Sequence, residues 1–131
     1  MTFNFYSFAR TILAVLTGAL LLAMTVHAGG NHGKPQHGGI VAETNGFEAE
    51  LVVKQNLVTI YLNDHGKDLS SKGVTGKLTV LADGKTYTVN LLPTTGNQLQ
   101  ATLPAPLKNG KFVAQIALPN KPIASVRFDL K

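Results

Sequence analysis

From Phe47 onward the chain alternates apolar and polar residues with a period of two. Phe47, Ala49, Leu51 and Val53 are separated by Glu48, Glu50 and Val52, and Val58, Ile60 and Leu62 by Thr59 and Tyr61. The same pattern returns at Leu78–Ala82, Tyr87–Leu91, Leu99–Leu103, Phe112–Leu118 and Ala124–Leu130. A strand sends successive side chains to opposite faces, so this pattern predicts strands with one buried and one wet face. Helical spacing is missing from this part of the chain. Between the runs stand turn-forming pairs, Asn45-Gly46 and Asp83-Gly84 above all, where glycine accepts the positive φ of a tight hairpin. The longest connector runs from Asp64 to Gly73. Seven main strands and a short one at Ile40–Ala42 predict an all-β fold, an immunoglobulin-like β-sandwich over residues 40–131.

Such a fold has to be held by apolar packing alone, because the chain has no cysteine. The same absence excludes disulfides, a thiolate metal site and a cysteine nucleophile. The strand region is long enough for one core and too short for two.

The N-terminal part reads differently. Arg10 precedes an uncharged run from Thr11 to Val26, and Val26 and Ala28 are small residues in the arrangement a signal peptidase reads. A positive start, a short apolar centre and a small-residue exit predict a signal peptide over residues 1–28, cleaved after Ala28. The run falls short of the roughly 20 residues that span hydrocarbon. An uncleaved anchor starting at Phe3 would be interrupted by Arg10, so the expectation is export from the cytoplasm, with no membrane attachment after signal removal. Residues 29–39 are polar and glycine-rich, which predicts a flexible tail whose deletion through Gly38 leaves the melting temperature nearly unchanged.

Charge and composition exclude several functions. The formal net charge is +5, but the lysines are scattered and few aromatic residues accompany them, so no nucleic-acid surface is expected. No serine sits in a strand-to-helix elbow, and no glycine loop leads into a helix to cradle phosphate. Glu48 and Glu50 share one strand face and read as a solubilising row. The chain is not expected to be an enzyme.

Histidine is the remaining chemistry. His32, His37 and His65 are the three that follow Ala28. Neutral imidazole is the commonest side-chain ligand for zinc, copper and nickel, and tail glycines would let the backbone wrap an ion. Against this stands the reading in which the tail histidines are incidental to a linker. Cleavage one residue further on would place His32 third from a free amine, a square-planar copper(II) or nickel chelate. His65 follows Asp64, which can equally be a turn former bonding its own backbone. If Ile40–Glu43 pairs with Phe47–Val53, and that strand with Leu57–Asn63, His37 and His65 fall at opposite ends. At about 3.3 Å per residue they lie more than about 20 Å apart, unless Gly38-Gly39 folds the tail back.

Several strings carry a resemblance. His37-Gly38-Gly39-Ile40-Val41, Phe47-Glu48-Ala49-Glu50-Leu51-Val52, Asn63-Asp64-His65-Gly66-Lys67 and Gly96-Asn97-Gln98-Leu99 resemble a small periplasmic module. That module is fused to adaptor (membrane-fusion) proteins of heavy-metal efflux pumps and also occurs as a short secreted protein. The likeness covers nearly all of residues 29–131, and its distinctive words are His-Gly-Gly and Asp-His-Gly-Lys. It implies an immunoglobulin-like domain associated with metal handling, with His37 and His65 at the matching positions. The adaptor's hairpin, lipoyl and barrel regions are missing, so the adaptor role itself is not implied. Both methionines precede the cleavage site, and without soft sulfur ligands the expected ion is zinc, nickel, cobalt or copper(II).

These readings converge on a periplasmic metal-binding accessory protein. His32, His37, His65 and Asp64 would hold a divalent transition metal for buffering or delivery to an efflux or resistance system. The alternative is a metal-free β-sandwich interaction module that docks a periplasmic partner through a sheet edge or loop.

Overall fold

The computed structural model describes residues 33–131. The expected signal peptide over 1–28 and the start of the expected tail, with His32, lie outside the described residues. Within them the chain is all-β. Nine strands form: β1 (Ile40–Glu43), β2 (Glu48–Lys54), β3 (Leu57–Asp64), β4 (Lys67–Asp68), β5 (Thr75–Ala82), β6 (Lys85–Pro93), β7 (Gln98–Thr102), β8 (Gly110–Ala117) and β9 (Ala124–Leu130). Every expected strand is present, and β4 is added inside the long connector.

The hairpins follow from local chemistry. Asp83 and Gly84 both have positive φ, 51° and 72°, and join β5 to β6 with only two residues between them. His65 and Gly66 do the same between β3 and β4, with φ 49° and 82°. Two successive positive φ values are the signature of the turn whose twist matches its flanking strands. In the β1–β2 turn, the Thr44 hydroxyl oxygen accepts from the N–H of Gly46 and of Phe47, and the Thr44 N–H donates to the Phe47 carbonyl.

All pairings are antiparallel, in the order β1-β2-β3-β7-β6-β5-β8-β9, with β4 paired to β3. The chain changes partners by crossing over the core, from β3 to β5 and from β7 to β8. β6 belongs to two neighbours: Lys85–Leu91 pair with β5, and Leu92 and Pro93 pair with β7. The terminal strands of the order, β1 and β9, lie side by side with no ladder between them. The result is a sheet nearly closed on itself.

The inner face is the one the alternation marks. Leu51, Val58, Ile60, Leu62, Leu78, Val80, Leu99, Phe112, Ile116 and Val126 are buried in a single core. The long connector is fastened to it by polar groups. The buried Ser71 hydroxyl has its one proton within reach of the carbonyls of Thr94 (3.2 Å) and Gly96 (3.1 Å), and the Asn97 amide donates to Asp68 Oδ1 at 3.4 Å and to the Leu62 carbonyl at 2.9 Å. Among the described residues Phe112 is the largest fully buried side chain, near the start of β8 between β5 and β9. Truncation there leaves a cavity that strands cannot collapse to fill. Phe112→Ala is expected to cost about 3–5 kcal/mol of unfolding free energy, measured by urea denaturation.

A carboxylate-anchored strap as the candidate functional site

The outward positions of β2 and β3 carry the polar residues of interest. Glu50 faces Tyr61 in register, and Glu48 faces Asn63. On the other side of β2, Val41 of β1 lies opposite Glu50 and Glu43 opposite Glu48. The parity of the strand puts Glu50 on the expected wet face, yet it is only 2% exposed. What covers it is the segment before β1.

That segment turns back at Gly38, where φ is +73°. Gly39 then sits so close to the Leu51 carbonyl and the Val52 side chain that a Cβ there has no room. The pair Gly38-Gly39 is required by a turn and by a close backbone approach. Beyond the turn, the chain lies over Glu50. The carboxylate accepts from the main-chain N–H of Gln36 (3.1 Å), His37 (2.8 Å) and Gly39 (2.9 Å), and from His37 Nδ1 (2.9 Å). The His37 ring lies flat on Tyr61, with centroids 3.6 Å apart and planes 4° from parallel. Further back, Gly33 lies against the Glu48 carboxylate.

In this geometry part-buried hydrogen bonds fix Gln36, His37 and Gly39 to β2. Glu50 does not belong to a solvated row, because the strap shields it. Burial alone pushes the Glu50 carboxyl up. The bonds from the His37 imidazole and from the N–H groups of Gly39, His37 and Gln36 outweigh burial, and the carboxyl is held below its ordinary value of 4.5.

A carboxylate bonded to Nδ1 makes that nitrogen the proton-bearing one and leaves the Nε2 lone pair of the neutral ring free. His65 has the same arrangement, its Nδ1 lying 2.5 Å from Asp64 Oδ1 at an exposed turn. Both expected histidines inside the described residues are therefore carboxylate-oriented imidazoles. The reversal at Gly38 also shortens the expected gap between the tail and the β3–β4 turn. Gly33, Lys34 and Gln36 of the strap line one cleft of about 280 Å³ together with Glu48, Asn63 and His65. Glu48, Asp64 and His65 also border a neighbouring cleft beside the β1–β2 turn. His37 stands at the Glu50 end of the strap and does not line either cleft. Among the described residues, no three His, Asp or Glu side chains converge to hold an ion.

Sequence reasoning missed Glu48 and Glu50 as members of this site. The available signal was the His-Gly-Gly string, whose glycines allow a reversal onto the preceding strand face. No protein-family model, curated protein or solved structure matches the chain.

The depressed carboxyl makes a pH-dependent contribution to stability. It is fully present above the unfolded value near 4.5 and is lost as pH falls through the lower native value. Glu50→Gln is expected to lose about 2 kcal/mol at neutral pH, since an amide cannot accept from the same set of donors. In urea titrations the gap between native and variant chains should close under strongly acid conditions. Deleting the strap through Gly38 is expected to lower the melting temperature, read by circular dichroism, because Glu50 loses most of its partners.

Proposed function

We propose that this chain is an exported metal-binding accessory protein with an immunoglobulin-like β-sandwich body. The strand order supports the second part. With β2 as the first strand of the motif, β2-β3-β7 form one group and β6-β5-β8-β9 the other, joined by the crossovers of a Greek key. β1 is then an added strand that carries the strap. The predicted signal peptide supports a periplasmic location.

The observation that carries the metal reading is the pair of imidazoles held through Nδ1 by Glu50 and by Asp64. Histidines that bind metals present one nitrogen to the ion and donate the other N–H to a carboxylate or carbonyl, which fixes ring orientation and raises basicity. His37 and His65 are prepared in this way before any ion arrives. Asp64 therefore serves as the orienting partner of His65. Glu48 adds a carboxylate to the cleft that His65 lines, between the strap and the β3–β4 turn. His32 immediately precedes Gly33 and can supply a further nitrogen.

With so few protein ligands, coordination would be open and completed by water. This suits buffering or hand-off of zinc, nickel, cobalt or copper(II) better than a structural site. The core is built from apolar side chains. Delivery to an efflux or resistance system follows from the likeness to the adaptor-fused module, and the ion is cargo.

Titration calorimetry with Zn²⁺, Ni²⁺, Co²⁺ and Cu²⁺ near neutral pH tests this reading. Binding is expected in the native chain and is expected to be lost in a His37→Ala/His65→Ala double variant. Asp64→Asn should weaken it about 10-fold or more, as loss of an orienting carboxylate does at other metal sites. Equal affinity in all three proteins, or no heat with any ion, defeats the metal reading and leaves the metal-free docking module.

A further inference from the structure

The strand order ends at β1 and β9, which lie side by side without a ladder, and a second interruption falls inside the order at β6. From Lys85 to Leu91 one edge of this strand pairs with β5. Among the described residues no strand pairs with its other edge until Leu92 and Pro93 meet β7. The open stretch Thr86-Tyr87-Thr88-Val89-Asn90-Leu91 has no charge, no proline and no glycine. Threonine, tyrosine and valine are strong strand formers. Natural sheet edges are normally protected by charges, prolines, bulges or a covering loop, because an open ladder templates pairing with another chain. Among the described residues neither a charge nor a proline protects the middle of β6, although Lys85 and Pro93 stand at its ends.

Tyr87 and Val89 add an apolar argument. They point inward with the core residues, yet both stay partly exposed because the layer is open there. A strand added along β6 would cover them.

The sequence of the edge also says which strand fits. We propose that β6 pairs antiparallel with β6 of a second copy of this chain about a two-fold axis at Thr88. In that register Thr88 faces the partner's Thr88, and Tyr87 faces the partner's Val89. The symmetry repeats the Tyr–Val pair, and aromatic–β-branched and Thr–Thr pairs are favourable cross-strand neighbours. Thr86 faces the partner's Asn90 on the outer side, joining two hydrogen-bonding side chains. Lys85, the only charge on the strand, faces the partner's Leu91. The two lysines then stand about 20 Å apart at about 3.4 Å per residue, so a chain of net charge +5 meets itself without a close like-charge contact. The contact is isologous and closes as a dimer. It joins β9-β8-β5-β6 of each copy into one continuous sheet, remote from the strap over β2.

Sedimentation equilibrium of the purified chain, together with two variants at the exposed Thr88, tests the proposal. The native protein is expected to be dimeric. Thr88→Lys, which sets two ammonium groups face to face on the axis, should shift it to monomer while the sheet signature in circular dichroism is kept. Thr88→Cys should form an intermolecular disulfide under mild oxidation, because directly paired residues sit about 4.5–5.5 Å apart between Cα atoms. The chain has no other cysteine, so this cross-link is specific, and Ser125→Cys on β9 should remain free. A native protein that stays monomeric overturns the proposal. So does a dimer that Thr88→Lys leaves intact and Thr88→Cys fails to link, and so does an edge found paired with a strand of a different protein.

Discussion

A buried carboxylate governs the outer face of this molecule. Glu50 sits at a position whose parity points it to solvent, and burying an ionised acid there without partners would cost several kcal/mol. Four donors from one short segment offset that cost. The carboxylate therefore decides where the strap runs, which way the His37 ring faces and which nitrogen carries its proton. Tyr61 completes the arrangement by giving the ring a flat surface to lie on.

This anchoring links the stability of the strap to the chemistry proposed for it. A histidine on a loose tail would lose conformational entropy each time it captured an ion. A histidine already held by Glu50 and stacked on Tyr61 has lost most of that freedom during folding. The β3–β4 turn offers a second version of the same device. There His65 accepts a positive φ, uncommon for a residue with a side chain, and Asp64 orients its ring. The two carboxylate–imidazole pairs differ in setting: Glu50 is buried, whereas Asp64 and His65 stand in solvent.

The fold keeps these features apart from its open edge. β2, β3 and the strap form one side of the nearly closed sheet, and β6 leaves its unpaired ladder where the closure is interrupted. Continuity between the two comes only through Leu92 and Pro93, which hand β6 from β5 to β7. An ion held near the strap and a strand added to β6 would thus occupy separate surfaces.

The strands and the core were legible in the sequence because a period of two is a local property. Ala49, Leu51, Ile60, Leu78, Phe112 and Val126 are buried as their positions in the alternation require. Turn chemistry at Asp83-Gly84 was legible for the same reason: two residues and their φ values define it. The site was only half legible. His37 and His65 stood out by residue type, but the burial of Glu50 could not be read from β2. It depends on donors 11–14 residues away and on a chain reversal at Gly38. The pattern of side chains determined which face of each strand is apolar, since the geometry of a strand imposes that face. Tertiary structure alone decided which polar residue on the other face would be taken out of water, because that required a distant segment to supply its hydrogen bonds.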